Sequence, residues 1–167
     1  MIRPVSGLFW RAVFEADAAR FLRGAQAGEG RYHHDGQAAL YMSQSPEYAR
    51  IAIDTYLRDG DPPRVIVPLA LEDANLANLR DPAVRRALAL TGAESGTPWQ
   101  PERAAGLPAT SWIASDAART AGADGIIYAA RSDAARWHVV LFRWNGATGP
   151  KVRQNGSPVP FDTGNRP

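Results

Sequence analysis

Short apolar segments alternate along this chain with polar stretches that are rich in glycine and proline. Five of the apolar segments are rich in aromatic and β-branched residues, a composition typical of strands. They lie at Leu8–Phe14, Ala39–Ser43, Arg64–Leu71, Gly125–Ala129 and Trp137–Arg143. Pro68 falls inside the third segment and indicates an edge strand or a strand end, because proline cannot donate to a sheet.

Helices are predicted where a capping residue precedes a run of helix-forming residues. The caps are Asp17, Ser45, Asp81 and either Thr110 or Ser111. The corresponding helices are expected at residues 17–22, 45–57, 81–90 and 110–120. Strands and helices do not alternate as regularly as in a parallel sheet. The expected class is therefore α+β, with a small mixed or antiparallel sheet and flanking helices.

The length of 167 residues fits about one domain. We expect this domain to occupy residues 1–145, followed at 146–167 by a loose tail dominated by glycine and proline. No apolar run approaches the roughly 18 residues of a membrane span, and the N-terminus lacks the apolar centre of a signal peptide. The simplest interpretation is a cytoplasmic protein that does not bind membranes.

The composition excludes several kinds of chemistry. The absence of cysteine rules out disulfides, thiolate nucleophiles and cysteine-bound metals. All of the 19 basic side chains except Lys151 are arginine, yet they are scattered and the net charge is only +2. Direct nucleic-acid binding is therefore not expected. His33 and His34 are adjacent and point in different directions on most backbones, so no metal site is predicted.

Several short motifs occur in a fixed order along the chain. They are the segments Gly30–Gly36, Leu40–Ser43, Ser45–Arg50, Gly122–Tyr128 and Val139–Phe142. The first contains a Gly-Arg-aromatic loop, the second a Leu-Tyr strand that runs into a helix, and the fourth an Asp-Gly-Ile strand. In this order and at these spacings, the chain resembles the RES-domain family over about residues 8–144.

The resemblance implies a fold similar to that of the ADP-ribosyltransferases and an activity on NAD+. RES proteins are toxins of bacterial toxin–antitoxin pairs that break the bond between nicotinamide and ribose. Some of them transfer ADP-ribose to a protein. Their usual partner is an Xre-type helix-turn-helix antitoxin that blocks the active site. NAD+ is accordingly the expected substrate, with no metal cofactor and with a protein acceptor as a further partner.

Two residues match the functional positions of the family. Arg31 corresponds to the family arginine and, from a glycine-flanked loop, can form two parallel hydrogen bonds with a pyrophosphate. Tyr41 corresponds to the family tyrosine and can stack on the nicotinamide ring. Arg131 and Ser132 are further candidates for binding NAD+, and Arg11 is a candidate for lining the same cavity.

Alanine occupies the two other namesake positions of the family. In an ungapped comparison with the family pattern, the glutamate falls at Ala52, eleven residues after Tyr41. The serine falls at Ala130, two residues after Tyr128. The missing carboxylate is important because such a group orients the ribose and stabilises a cationic transition state.

Substitutes for the missing groups lie nearby in the sequence. Ser132 is two residues beyond position 130, which in a strand keeps it on the same face. Asp54 is the nearest acid, but at about 100° per residue it faces away from position 52 on a helix. The further acids are Glu47, Asp35 and Asp116. Three interpretations stay open: a divergent enzyme, a catalytically silent relative that binds NAD+ or an antitoxin, and a toxin disarmed by alanine substitution.

Overall fold

The structure, a computed structural model, describes residues 1–161 and contains one seven-stranded sheet with helices packed on it. The strands are β1 (Ile2–Phe14), β2 (Leu40–Ser43), β3 (Arg64–Asn78), β4 (Gly125–Ala129), β5 (Trp137–Leu141), β6 (Lys151–Gln154) and β7 (Val159–Pro160). The α-helices are α1 (Pro46–Ala52), α2 (Pro82–Ala87), α3 (Trp99–Ala104) and α4 (Thr110–Thr120). Segments of 3₁₀ helix lie at Glu15–Arg23, Asp54–Tyr56 and Ala93–Ser95.

The pairing of the strands closes five of them into a ring. The order is β1-β2-β5-β4-β3, and β3 also pairs with β1 along nearly its whole length. β6 and β7 add to β3 outside this ring. Among the described residues, only β3 and β4 run parallel, and every other pair is antiparallel. The predicted α+β class with a mixed sheet and flanking helices is thus confirmed.

β1 and β3 both extend well beyond the predicted segments. β1 begins at Ile2 and β3 continues to Asn78, through polar residues that interrupt the apolar pattern. A bulge between Val5 and Gly7 accommodates this pairing. Opposite the bulge, Asp73 has a φ of 56°, and its amide donates a 3.0 Å hydrogen bond to the hydroxyl of Ser6. Local hydrogen bonds therefore extend the hairpin where hydrophobic periodicity ends.

The predicted caps of α1 and α2 are confirmed, but both helices are shorter than expected. The side chains of Ser45 and Asp81 accept main-chain amide hydrogens at 3.1 Å and 2.8 Å. α1 ends at Ala52 and α2 at Ala87, rather than at residues 57 and 90. After α1 the β-branched residues disfavour a helix, and the chain continues as the 3₁₀ segment Asp54–Tyr56. Residues 17–22, predicted as a helix, likewise belong to a 3₁₀ segment.

The predicted cap of α4 was wrong. Ala109 occupies the N-cap position and makes no side-chain hydrogen bond. The Thr110 hydroxyl instead donates to Glu102, and the Ser111 hydroxyl donates to the main-chain carbonyl of Arg31. These bonds fix the start of α4 against α3 and against the Gly-Arg loop. Residues 91–108, between α2 and α4, contain the 3₁₀ segment Ala93–Ser95 and helix α3, and the carbonyl of Ser95 accepts a hydrogen bond from the candidate site residue Arg31.

Alanines on α4 allow this helix to pack closely on the sheet. Ala114 and Ala118 are fully buried and belong to the same apolar cluster as Ile126 of β4 and Val140 of β5. α4 spans 11 residues. No helix within residues 1–161 combines the length and apolar character needed to cross a membrane.

The segment after Asn145 differs from the loose tail that was expected. Lys151–Gln154 pairs with β3 as β6, and Val159–Pro160 pairs with β3 as β7. The side chain of Asn145 exchanges two hydrogen bonds of 2.8 Å with the main chain of Val152, whose side chain is buried. This part of the predicted tail completes the edge of the sheet. Residues 162–167 of the same prediction lie outside the described residues.

Candidate active site

Four neighbouring strands place side chains in one row across the sheet. In the register, Trp10 of β1 lies opposite Ser43 of β2, Ser43 opposite His138 of β5, and His138 opposite Tyr128 of β4. Directly opposed residues project from the same face of a sheet. All four line one cavity of about 640 Å³, a volume ordinary for ligand sites. We call this row of four side chains the floor of the cavity.

The loop before β2 carries Arg31 to the cavity. The amide of Gly30 donates to the carbonyl of His33 at 2.8 Å, and the Trp112 indole donates to the carbonyl of Gly30 at 2.8 Å. A Cβ atom at Gly30 would collide with the His33 ring, so only glycine fits this turn. The loop is thus held from both sides, which fixes the direction in which Arg31 leaves it.

The guanidinium of Arg31 is positioned by aromatic rings and by one carbonyl. It lies 5.0 Å from the ring centre of Tyr32 and 5.1 Å from that of Tyr128. Its Nη2 donates a 2.5 Å hydrogen bond to the carbonyl of Ser95. Cation–π contacts of this kind hold a guanidinium without neutralising its charge. Arg31 therefore lines the cavity as a fixed cation, and no carboxylate within residues 1–161 forms an ion pair with it.

Tyr41 also lines the cavity, but its hydroxyl is engaged with the loop. The oxygen accepts a 3.0 Å hydrogen bond from the amide of Tyr32 and lies 2.9 Å from Nδ1 of His33. Burial raises the pKa of Tyr41, so the phenol stays protonated. The hydroxyl links β2 to the Arg31 loop, while the predicted stacking on nicotinamide would involve the ring.

Arginines give the cavity a positive lining. Among the described residues, the arginines in the lining are Arg11, Arg31, Arg64, Arg131 and Arg136. The Nε atoms of four of them, all except Arg131, are buried with no hydrogen-bond partner in the described part of the chain. Buried unpaired donors that carry charge favour an anionic ligand. The sequence pointed to Arg11, Arg31 and Arg131, whereas it did not identify Arg64 or Arg136.

Arg11 contributes to this lining from the first strand, β1. Its Nη1 donates a 3.0 Å hydrogen bond to the carbonyl of Tyr41. Burial lowers the pKa of Arg11 to about 10, which still leaves the guanidinium charged at neutral pH. The expectation that this first-strand arginine lines the cavity is confirmed.

One carboxylate accompanies the arginines. Within residues 1–161, Glu29 is the only acidic side chain that lines the cavity. Its two oxygens accept from Nε of Arg103 at 3.2 Å, and Nη2 of Arg103 lies 3.1 Å away. Glu29 precedes the Gly-Arg loop and matches no family motif, so it was not among the residues predicted from the sequence.

The two alanines that the ungapped comparison places at the glutamate and serine positions both lie at this cavity. Ala52 and Ala130 are part of its lining. Asp54 is not, and it lies 3.8 Å from the Arg50 guanidinium instead. Asp54 thus lies outside the cavity lining, but helix α1 ends before it, so the helical periodicity on which the prediction rested does not apply at this position.

Ser132 and Arg131 reach the cavity from a loop rather than from a strand. β4 ends at Ala129, so the inference that Ser132 shares a strand face with position 130 was wrong. Both residues nevertheless line the cavity. The Ser132 hydroxyl accepts a 2.6 Å hydrogen bond from Nη2 of Arg136. Their roles as NAD+-binding residues remain predictions.

The remaining candidate acids do not line the cavity. Asp35 and Asp116 each lie 2.8 Å from a ring nitrogen of His34, and Glu47 is exposed on α1. His33 is turned the other way, toward Tyr41. Among the described residues, no three side chains of the kinds that bind metals form a group.

The buried pair Ser43 and His138 was missed by the sequence analysis. Ser43 Oγ lies 2.9 Å from Nδ1 of His138 at the centre of the floor. The available signal was a histidine inside an otherwise apolar strand, Trp137–Leu141. Its partner on β2 follows only from the register of two strands that are far apart in sequence.

Comparisons with known proteins place this architecture in a family. No curated protein matches the chain. A chain in the crystal structure of the M. tuberculosis MbcT–MbcA toxin–antitoxin complex is similar, with a TM-score of 0.62 and 15% identity. The match covers 95% of this chain and 86% of that chain, and it shows a shared fold. The family model for the RES domain matches residues 8–163, which is nearly the whole sequence. The chain therefore belongs to the RES domain family.

Proposed function

We propose that this protein is a toxin-type enzyme that cleaves the bond between nicotinamide and ribose in NAD+. The observation that carries the proposal is the cavity lined by five arginines and one carboxylate within residues 1–161. Planar guanidinium groups suit a diphosphate, because each can donate two parallel hydrogen bonds to phosphate oxygens. Membership of the RES domain family and the fold shared with a chain of a toxin–antitoxin complex support the toxin assignment.

The floor supplies surfaces on which a nicotinamide nucleotide can be oriented. Trp10 and Tyr128 present aromatic rings at its two ends, and Tyr41 adds a third ring beside them. Arg31 is aimed at the diphosphate by the two rings that flank it. Positioning of this kind is important because nicotinamide is already a cationic leaving group and needs no protonation. When the bond breaks, the electron pair goes to the nicotinamide nitrogen and the ribose develops oxocarbenium character.

A negative charge near that developing cation would stabilise the transition state. The family places a glutamate there, and Ala52 now occupies that position. We propose that Glu29 supplies the charge, since it is the one carboxylate that the described residues contribute to the cavity. Its ion pair with Arg103 fixes the position of the carboxylate, which still contributes its negative charge to the cavity lining.

The products and the partner follow from the same proposal. Water as the acceptor gives ADP-ribose, whereas a protein acceptor gives an ADP-ribosylated side chain, in keeping with an ADP-ribosyltransferase-like fold. We propose an Xre-type helix-turn-helix antitoxin as the neutralising partner in the cytoplasm, supported by the fold shared with a chain of a toxin–antitoxin complex. Co-expression with the product of the adjacent gene, followed by pull-down, tests this part. Capture of a helix-turn-helix protein supports it.

A silent NAD+-binding relative is the competing function. The observation in its favour is that both alanines at family catalytic positions, Ala52 and Ala130, face the cavity. Nicotinamide release from NAD+ and NAD+ binding by calorimetry, measured on the same sample, separate the two. Release above the buffer rate supports the enzyme, and binding without release supports the silent relative.

Arg31→Ala tests whether the cavity is the site. We expect this variant to lose binding and turnover together. Arg153→Ala is the matched control, because Arg153 is exposed on β6 and pairs with Glu72 at 3.2 Å, outside the cavity lining. Equal binding and turnover in Arg31→Ala and the unmodified protein would overturn the site assignment.

A further inference from the structure

The pair Ser43 and His138 has no evident structural task. The two side chains are only 4% and 5% exposed, and both belong to the cavity floor. Ser43 Oγ and Nδ1 of His138 lie 2.9 Å apart. Buried polar pairs cost stability relative to apolar packing unless every group is satisfied. Here the hydrogen bond of Nδ1 to Ser43 is the only side-chain hydrogen bond of His138 among the residues that the structure describes, so the second ring nitrogen, Nε2, is left open to a ligand or water.

The groups around His138 keep its ring neutral. Arg136 and Arg31 lie on the loops above the floor, and the Tyr128 ring centre is 5.5 Å away on β4. Burial, together with the charges of Arg136 and Arg31, lowers the pKa of His138 to about 4. A neutral imidazole with one nitrogen bound and the other free can accept a proton.

We propose that His138 is the general base of the reaction and that it accepts the proton of the water that attacks ribose. This inference rests on the proposed NAD+ cleavage. In the tautomer that donates the Nδ1 proton to Ser43 Oγ, Nε2 carries the lone pair, on a side chain that lines the cavity. The water oxygen bonds to the ribose carbon, its proton moves to Nε2, and the carbon–nitrogen bond breaks with its electron pair on nicotinamide. Deprotonation of the imidazolium by solvent restores the site.

The assignment separates two tasks that one glutamate can combine. Glu29 is bound to Arg103 by several contacts, which lowers its availability as a base. His138 has no acidic partner among the described residues and stands at the centre of the floor. The carboxylate thus stabilises charge, while the histidine moves the proton.

His138→Gln tests the inference in the full-length protein. General base catalysis contributes about 10²–10⁴-fold, so we expect NAD+ hydrolysis to fall by about that factor while the Kd for NAD+ stays unchanged. Ser43→Ala should cause a smaller loss, because it frees the ring without removing the base. His34→Gln is the control, since His34 is not in the cavity lining.

Azide distinguishes a lost base from a damaged fold. Azide attacks the ribose carbon as an anion and needs no deprotonation. It should therefore restore nicotinamide release in His138→Gln by more than about tenfold, because the loss of a general base is expected to cost about 10²–10⁴-fold. Hydrolysis by His138→Gln within about tenfold of the unmodified protein would overturn the inference and leave the proposed function intact. A loss that azide does not restore would overturn it as well. No nicotinamide release from the unmodified protein would overturn both.

Discussion

Nη1 of Arg11 donates a 3.0 Å hydrogen bond to the main-chain carbonyl of Tyr41, joining the first strand to the strand that carries a candidate site residue. The guanidinium is buried enough to lower its pKa to about 10, and no carboxylate among the described residues pairs with it. A buried charge without a counter-ion destabilises a fold unless a ligand compensates it. Arg11 is therefore placed for a ligand rather than for stability.

Arg11→Met is expected to weaken NAD+ binding while leaving the fold intact. A charge-assisted hydrogen bond is worth about 1.5–3 kcal/mol, so the Kd should rise about 10- to 100-fold. The free energy of unfolding should change by no more than about 1 kcal/mol, because removal of a desolvated charge offsets the lost bond to the carbonyl. Calorimetric titration and urea unfolding provide the two values. An unchanged Kd would contradict the prediction, and Arg153→Met is the control.

Glu29→Gln is expected to lower the turnover number by about 10²-fold with little effect on NAD+ binding. The amide keeps the shape of the side chain but removes the charge that faces the developing cation. Because the pair with Arg103 is partly exposed, stability should change by about 1 kcal/mol or less. Asp54→Asn removes a charge outside the cavity lining and should leave turnover unchanged. Equal turnover in the two variants would show that Glu29 has no such role.

Local sequence signals predicted much of the fold and part of the site. The capping serine and proline fixed the start of α1, and the apolar runs located β2, β4 and β5. Motif spacing also singled out Arg31, Tyr41, Ala52 and Ala130. All four line one cavity, and their roles there remain predictions. These features depend on neighbours that are close along the chain.

What the sequence did not reveal depends on pairing between distant segments. Ser43 meets His138 only because β2 lies beside β5 in one register, and a shift by one residue would separate them. The segment Lys151–Gln154 has one apolar residue, Val152, so its hydrophobic pattern does not predict a strand. It forms β6 because the edge of β3 is available for pairing. Glu29 reaches the cavity because the loop before β2 carries it there, and hydrophobic periodicity does not predict the path of a loop.

Asp124→Ala is expected to destabilise the protein by about 1.5–3 kcal/mol. The Asp124 side chain is only 1% exposed, accepts a 2.8 Å hydrogen bond from the amide of Asn75 and lies 2.5 Å from Nε of Arg143. Removing it takes away the charged acceptor of the Asn75 amide. Urea unfolding monitored by circular dichroism measures the loss. Arg143→Ala should cost less, because Arg143 is 61% exposed and the carboxylate keeps its bond to Asn75. A larger loss in Arg143→Ala would contradict this account.

His34 is expected to make stability depend on pH. Burial opposes protonation of its ring, but the hydrogen bonds to Asp116 and Asp35 prevail and raise the pKa of His34 above its ordinary value of 6.5. A raised pKa in the folded state stabilises the protein below the unfolded pKa, and this contribution is lost as the pH rises through the folded pKa.

The difference in unfolding free energy between the unmodified protein and His34→Gln isolates this contribution. Burial lowers the pKa of His33 and, with two arginines, that of His138, so both add the opposite trend. Both histidines are present in the two proteins, so this trend cancels except for the smaller part that the charge of His34 contributes to the lowered pKa of His33. The difference should be largest below pH 6.5 and should shrink as the pH rises above it. Loss of the stacking of His34 on Trp112, whose ring centres are 4.5 Å apart, adds an offset that does not vary with pH. A difference that stays constant across this range would show that the His34 ring does not gain a proton on folding.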